Sequence, residues 1–145
     1  MNAAAMIIAS IVFVILLAVG LAHLLWAIGS RWPIKDPELL AKTVIGRPGV
    51  TRVPRLASLL VAVLVLAAGI FALSLADHDA GDWWLTLIGV GLAAVFLGRG
   101  ALGYTAGWRA RFSLEPFVTN DRRVYSPLCL IVGAGFLILV IMRLI

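Results

Sequence analysis

The sequence predicts an all-α protein: a four-transmembrane-helix antiparallel bundle, with a short interfacial helix in the first cytoplasmic loop. Three observations predict it. The chain is 63% hydrophobic and only 13% charged over 145 residues, with a mean hydropathy of +1.09. Soluble domains run near half apolar and about a quarter charged. Four apolar stretches, near 3–28, 56–76, 83–104 and 127–144, approach or exceed the roughly 20 residues that a helix needs to cross about 30 Å of hydrocarbon. The basic residues gather in alternate connecting segments, as orientation signals do. Inside hydrocarbon each span satisfies its backbone polar groups by forming a helix.

The first stretch, near 3–28, has no basic residue before its apolar run, which is too long for a secretory signal peptide, so it is expected to stay as a span. The segment 29–55 that follows holds Arg31, Lys35, Lys42, Arg47, Arg52 and Arg55 against two acidic residues. Within it, DPELLAKTVIG carries the marks of a short helix. Asp36 caps it, Pro37 opens it, Glu38 favours its first turn and Gly46 ends it. Leu39, Leu40 and Val44 share one face, which predicts a helix lying on the bilayer surface. GRPGVTRVPR is too rich in glycine and proline for helix and is expected to be extended.

The second connection, 77–82, reads DHDAGD and has no Lys or Arg. Trp83 and Trp84 then mark the membrane interface at the start of the third span. The third connection, 105–126, holds Arg109, Arg111, Arg122 and Arg123 against two acidic residues. Ser126-Pro127 gives a capping hydroxyl before a proline at the first helical position, which predicts the start of the fourth span. By the positive-inside rule, loops 29–55 and 105–126 are cytoplasmic and both termini lie outside. The net charge of +5 is thus explained by a membrane, and no nucleic-acid partner is expected.

A few polar groups enter the spans, where ionisable residues are a functional hypothesis by default, and two stand out. His23 and Arg99 each lie about five residues from the cytoplasmic end of their span, roughly 7–8 Å deep at ~1.5 Å per residue. The antiparallel order places them in one polar layer. Tyr104, Trp108, Tyr125 and the run Asn120–Arg123 fall at or just above it. Arg99 stays charged at this depth and needs a partner, water or a route to the phosphates. Asp121 is the first choice of partner and Glu115 the second. Gly98, Gly100, Gly103 and Gly107 strip side chains from the neighbourhood, either for close helix packing or to leave room for a ligand. The candidate ligand-binding residues are His23, Trp26, Arg99, Tyr104, Asp121, Arg122, Arg123 and Tyr125. Arg143 is expected to anchor the outer end by reaching to the interface.

Much chemistry is absent from the sequence. Cys129 is the single cysteine, so there is no disulfide and no Cys-x-x-Cys redox or zinc site; it is expected to be inert packing. His78 lies in the outer turn and cannot join His23 at one metal or haem. No carboxylate falls in a predicted span, which argues against a proton-coupled multidrug transporter. No metal and no cofactor is expected.

AHLLWAIGSRWP (residues 22–33), VFLGRGALGY (95–104) and PFVTNDRRVYSPLCLIVG (116–133) resemble a domain-of-unknown-function family of small bacterial proteins with four predicted spans. The resemblance covers nearly the whole chain and is most specific over Asp121–Cys129. It implies a four-helix inner-membrane protein and carries no catalytic residues.

Three functions are compatible with this pattern. The leading one is a non-enzymatic protein binding an anionic or amphipathic ligand at the cytoplasmic leaflet: a lipid headgroup, an isoprenoid or a quinone. A small chain leaves little interior, so a shallow site or a homo-oligomer is expected rather than a deep cavity. The second is an intramembrane isomerase or transferase in which His23 shuttles a proton, Arg99 holds an anion and Asp121 orients one of them. The third is an accessory subunit of a larger membrane complex.

Overall fold

The computed structural model describes residues 2–77, 79 and 82–145 and is all-helical among them. His78 lies outside the described residues. Four helices are long and apolar enough to cross a membrane. In chain order the elements are α1 (Ala3–Ala27), α2 (Pro37–Val44), α3 (Arg55–Ala76), α4 (Trp83–Leu102), α5 (Ala106–Arg111) and α6 (Phe117–Leu144).

The buried residues of α1 are Ala5, Ala9, Val12, Leu16 and Gly20. Their spacing of three or four keeps them on one stripe of a helix. Small residues dominate the facing stripe of α3, with Ala62, Ala68, Gly69, Ala72 and Ala76 buried. Lipid tails are as apolar as leucine, so helices in a bilayer associate through close packing, which small residues permit. Leu66 sits against Gly20 and Phe13 against Gly69, so α1 and α3 run antiparallel. In the same way α4 and α6 pair through Gly100 against Leu130 and Gly133 against Leu97. The two pairs meet across α1 and α6, where Val12 fills the space beside Gly135. Phe136, Leu139, Leu75 and Leu16 close the core. The outward faces carry Ile7, Val14, Leu64, Ile70, Leu87 and Val95, each more than half exposed. A soluble monomer does not present apolar surface on this scale. The architecture is a bundle of four antiparallel helices, and its exterior suits lipid.

Asp36 caps α2 by accepting from the Glu38 N–H at 3.1 Å, and Pro37 opens the helix. Glu38 pairs with Lys42 at 2.9 Å and holds the lysine ammonium above its usual pKa. The members of its apolar face differ in burial. Leu40 and Ala41 are the buried pair while Leu39 is 43% exposed. The helix turns its apolar side onto the end of the bundle because the Tyr125 hydroxyl donates to the Thr43 carbonyl at 3.2 Å. At its end, Gly46 (φ +67°) returns its N–H to Ala41 O. A side chain there would overlap Phe117. Glycine alone meets both demands. Residues 45–54 form no helix, as their prolines and glycines require.

The last helix departs most from expectation. It starts at Phe117, ten residues before the Ser126-Pro127 start that the sequence suggests, and is continuous to Leu144 with one π turn over Asp121–Tyr125. Proline in an α-helix removes one hydrogen bond and its ring strikes the carbonyl four residues back. Here the turn before Pro127 is widened: the Ser126 N–H reaches Asp121 O, five residues back. The proline is accommodated inside the helix rather than opening it. Asp121 therefore belongs to an apolar membrane-length helix, although the sequence suggests that none contains a carboxylate. Segment 105–126 likewise is not a plain loop, since α5 and the first turns of α6 lie within it.

At the opposite end Arg143 is not a free anchor. Its guanidinium donates to the Asp77 carbonyl at 2.8 Å, to Leu75 O at 3.4 Å and to the Thr86 hydroxyl at 3.3 Å. A cation at the C-terminal carbonyls of α3 complements the helix dipole.

Candidate functional site

Arg99 projects from the last turn of α4 toward the π turn. Its Nη2 donates to Asp121 Oδ1 at 2.6 Å, and its Nη1 donates to Ser126 Oγ at 3.3 Å. In a regular α-helix, residues five apart differ by about 140° around the axis. The π turn stacks Asp121 and Ser126 instead, so both face Arg99. Asp121 is 3% exposed and Ser126 fully buried. The second carboxylate oxygen, Oδ2, accepts the Trp108 indole N–H at 3.0 Å. The guanidinium carbon also lies 4.2 Å from the centre of the Trp108 ring. One arginine thus gains a charge-assisted hydrogen bond, a hydroxyl and a cation–π face.

Close backbone approach makes this possible. A β-carbon at Gly103 would overlap Ser126 Oγ and stand 3.0 Å from Asp121 Oδ2. Gly100 touches Leu130 in the same seam, whereas Gly98 and Gly107 face open space. The glycines around Arg99 are therefore of two kinds, and only the first kind serves helix packing.

Asp121 is the partner that the sequence ranks first. Glu115, ranked second, is occupied locally: it accepts from the Thr119 N–H at 3.2 Å and hydroxyl at 3.0 Å. Trp108 and Ser126 are the members whose roles sequence reasoning misses, as an interface marker and a helix cap respectively. Neither carries a local signal for this role, because both reach Arg99 through the tertiary fold.

Beside this cluster, between the four long helices and under α2, lies a cavity of about 310 Å³. His23, Arg99, Tyr125 and Cys129 are polar members of its lining, and the rest of the wall includes Trp26, Val65, Phe96 and Phe117. His23 and Arg99 thus share one space. The His23 Nδ1 lies 2.8 Å from the Val19 carbonyl. A carbonyl only accepts, so Nδ1 carries the proton and Nε2 of a neutral ring is an acceptor. Trp26 stands edge-on to the imidazole with centroids 4.8 Å apart, and its own N–H donates to the Trp32 carbonyl at 2.7 Å. An aromatic series runs from Trp108 through Phe112 and Phe117 to Tyr125, and its last two members line the cavity.

The sequence candidates separate into three groups. His23, Trp26, Arg99 and Tyr125 line the cavity. Asp121 stands behind it with both oxygens engaged. Tyr104 is surface-exposed, its hydroxyl donating to the Arg122 carbonyl at 3.1 Å. Arg122 and Arg123 border a separate recess with Glu115 and Thr119.

The family described as a protein of unknown function, DUF3995, matches residues 16–136, which span α1 to α6 and every residue of the Arg99 cluster. The chain is a DUF3995 protein. No curated protein and no solved structure matches it. In this DUF3995 chain the match covers the His23–Trp26 pair, the Gly98–Gly103 segment and the π turn together.

Proposed function

We propose that the protein is a multi-pass inner-membrane protein, N-out and C-out, whose cavity holds the head of a small amphipathic molecule. The charge asymmetry of the connections supports the orientation. One observation carries the binding reading: a cavity of about 310 Å³ whose mostly apolar lining includes an imidazole, a guanidinium and a phenol. Sites for small ligands have this character, an apolar enclosure with a few convergent polar groups.

The electrostatics narrow the ligand. Arg99 is already neutralised by Asp121 at 2.6 Å, so the polar lining is a set of donors and acceptors rather than an unopposed cation. A neutral headgroup with hydrogen-bonding oxygens, such as a quinone, fits it better than an anion. Native mass spectrometry of gently solubilised protein is expected to retain such a molecule. The variant Val65→Phe, which fills the cavity from α3, is expected to lose it while keeping the fold. No retained molecule in the native protein, together with no thermal stabilisation by a short-chain quinone, would refute the reading.

An enzymatic reading is favoured by one observation, that His23 and Arg99 line the same space. In it His23 Nε2 takes or returns a proton from a substrate whose oxygen Arg99 polarises. Asp121 serves only as the positioning residue of Arg99, since neither of its oxygens is free. Turnover by the native protein that His23→Leu abolishes would select this reading over simple binding.

A further inference from the structure

A second site lies at the same end of the molecule, outside the cavity. Where α1 ends and α3 begins, a recess of about 130 Å³ is bordered by Arg31, Arg52, Arg55, Ser30, Gly29 and Trp26. All three arginines are exposed, and the ion pairs among the described residues are Lys42–Glu38 and Arg99–Asp121. The nearest acidic residues in sequence are committed elsewhere, Asp36 to the α2 cap and Glu38 to Lys42. Three arginines therefore line one recess that no acidic residue lines.

The backbone places one of them. Gly29 has φ +92°, and the Arg55 guanidinium occupies the place a side chain would take, 2.6 Å from an ideal β-carbon there. The Arg55 guanidinium therefore lies beside the end of α1. The recess also sits at the start of α3, where Pro54 offers no side-chain acceptor to the first-turn N–H groups. A helix start with free N–H groups favours a negative charge. Ser30 accepts from the Trp32 N–H at 3.2 Å, which leaves its own O–H proton to donate.

We infer that Arg31, Arg52 and Arg55 form a binding site for a phosphate group, best suited to a terminal phosphate monoester. Several guanidinium forks match the several oxygens of a dianionic phosphate. A phosphodiester offers fewer free oxygens and one charge. Two sources supply this chemistry: a lipid whose head ends in a phosphate, and free phosphate in the cytoplasm. The recess shares Trp26 and Val53 with an apolar groove of about 150 Å³ that continues along His23, Val44, Ala57 and Val61. This groove gives a lipid chain a path that free phosphate does not need. The site stands whether or not the central cavity holds a ligand.

The test compares two double variants of equal charge at the same end, Arg31→Gln/Arg52→Gln and Arg122→Gln/Arg123→Gln. Full-length protein is titrated with phosphatidylcholine vesicles doped with phosphatidic acid or with phosphatidylglycerol. The native protein is expected to prefer phosphatidic acid. The first variant is expected to lose about tenfold in that affinity, the second less than about twofold. Displacement by inorganic phosphate would assign a soluble source as well; binding that it does not displace would assign the lipid. Equal loss in both variants, or no preference between the two lipids, would overturn the site in favour of diffuse surface charge. Circular dichroism of each variant separates loss of binding from loss of fold.

Discussion

Replacing Asp121 by asparagine isolates what the Arg99 cluster contributes. Asparagine keeps the size and one carbonyl oxygen but removes the charge and turns one acceptor into a donor. If its oxygen stays on Arg99 Nη2, now at 2.6 Å, its amide N–H₂ meets the Trp108 N–H that Oδ2 accepts at 3.0 Å. If the amide is flipped, Arg99 loses its acceptor instead. Either way one donor is orphaned, costing about 1–3 kcal/mol. Breaking a buried ion pair by removing one partner costs about 3–5 kcal/mol. The two costs overlap, and Arg99 keeps 28% of its side chain exposed, so water offsets part of the loss. The expected destabilisation is about 3 kcal/mol, roughly a hundredfold in the folding equilibrium. Equilibrium unfolding in mixed detergent–dodecyl sulfate micelles, followed by far-UV circular dichroism, measures it. The variants Arg99→Met and Arg99→Met/Asp121→Asn complete a cycle. The double variant is expected to be at least about 2 kcal/mol more stable than the sum of the single losses, because it leaves no unpaired charge. Asp121→Asn within about 0.5 kcal/mol of native, or an additive cycle, would refute the claim that the pair fastens α4 to α6.

Gly103→Ala and Gly98→Ala form a matched pair on α4. The first puts a methyl into Ser126 and Asp121 and should cost about 1–3 kcal/mol. The second meets open space and should be neutral or gain up to about 1 kcal/mol, both read by thermal unfolding in detergent. Equal effects would contradict the close approach at Gly103. Tyr125→Phe removes the hydroxyl that holds Thr43 O at 3.2 Å. Hydrogen exchange over residues 37–44 should accelerate, by about fivefold for a bond worth ~1 kcal/mol, while exchange in α1 is unchanged. Unaltered protection of α2 would show that Leu40 and Ala41 alone hold it.

The four long helices, the approximate limits of the first three and α2 with its Asp36 cap were legible because each depends on local composition: apolar length, charge between spans, and a capping residue before a proline. The pairing of Arg99 with Asp121 was also foreseeable, since a lone arginine at that depth demands an anion and few exist. Trp108 was not foreseeable as an indole donor to the same carboxylate, nor Ser126 as a buried acceptor. Arg143 read as a surface anchor because nothing in IMRLI reveals that the α3 carbonyls lie across from it. What α2 packs on is likewise a tertiary matter. Its apolar face fits either lipid or protein, and the choice rests on Tyr125, which lies 82 residues away.

By itself, the chain's sequence determined that it forms four helices of membrane length whose alternate connections are basic, because hydrophobicity and periodicity act over neighbouring residues. The tertiary structure alone decided that the last helix runs unbroken through Pro127. A π turn makes room for the proline ring and, in widening, brings Asp121 and Ser126 onto one face. Angular phase about a helix axis depends on which backbone hydrogen bonds form, and those are settled by what Arg99 offers from the neighbouring helix.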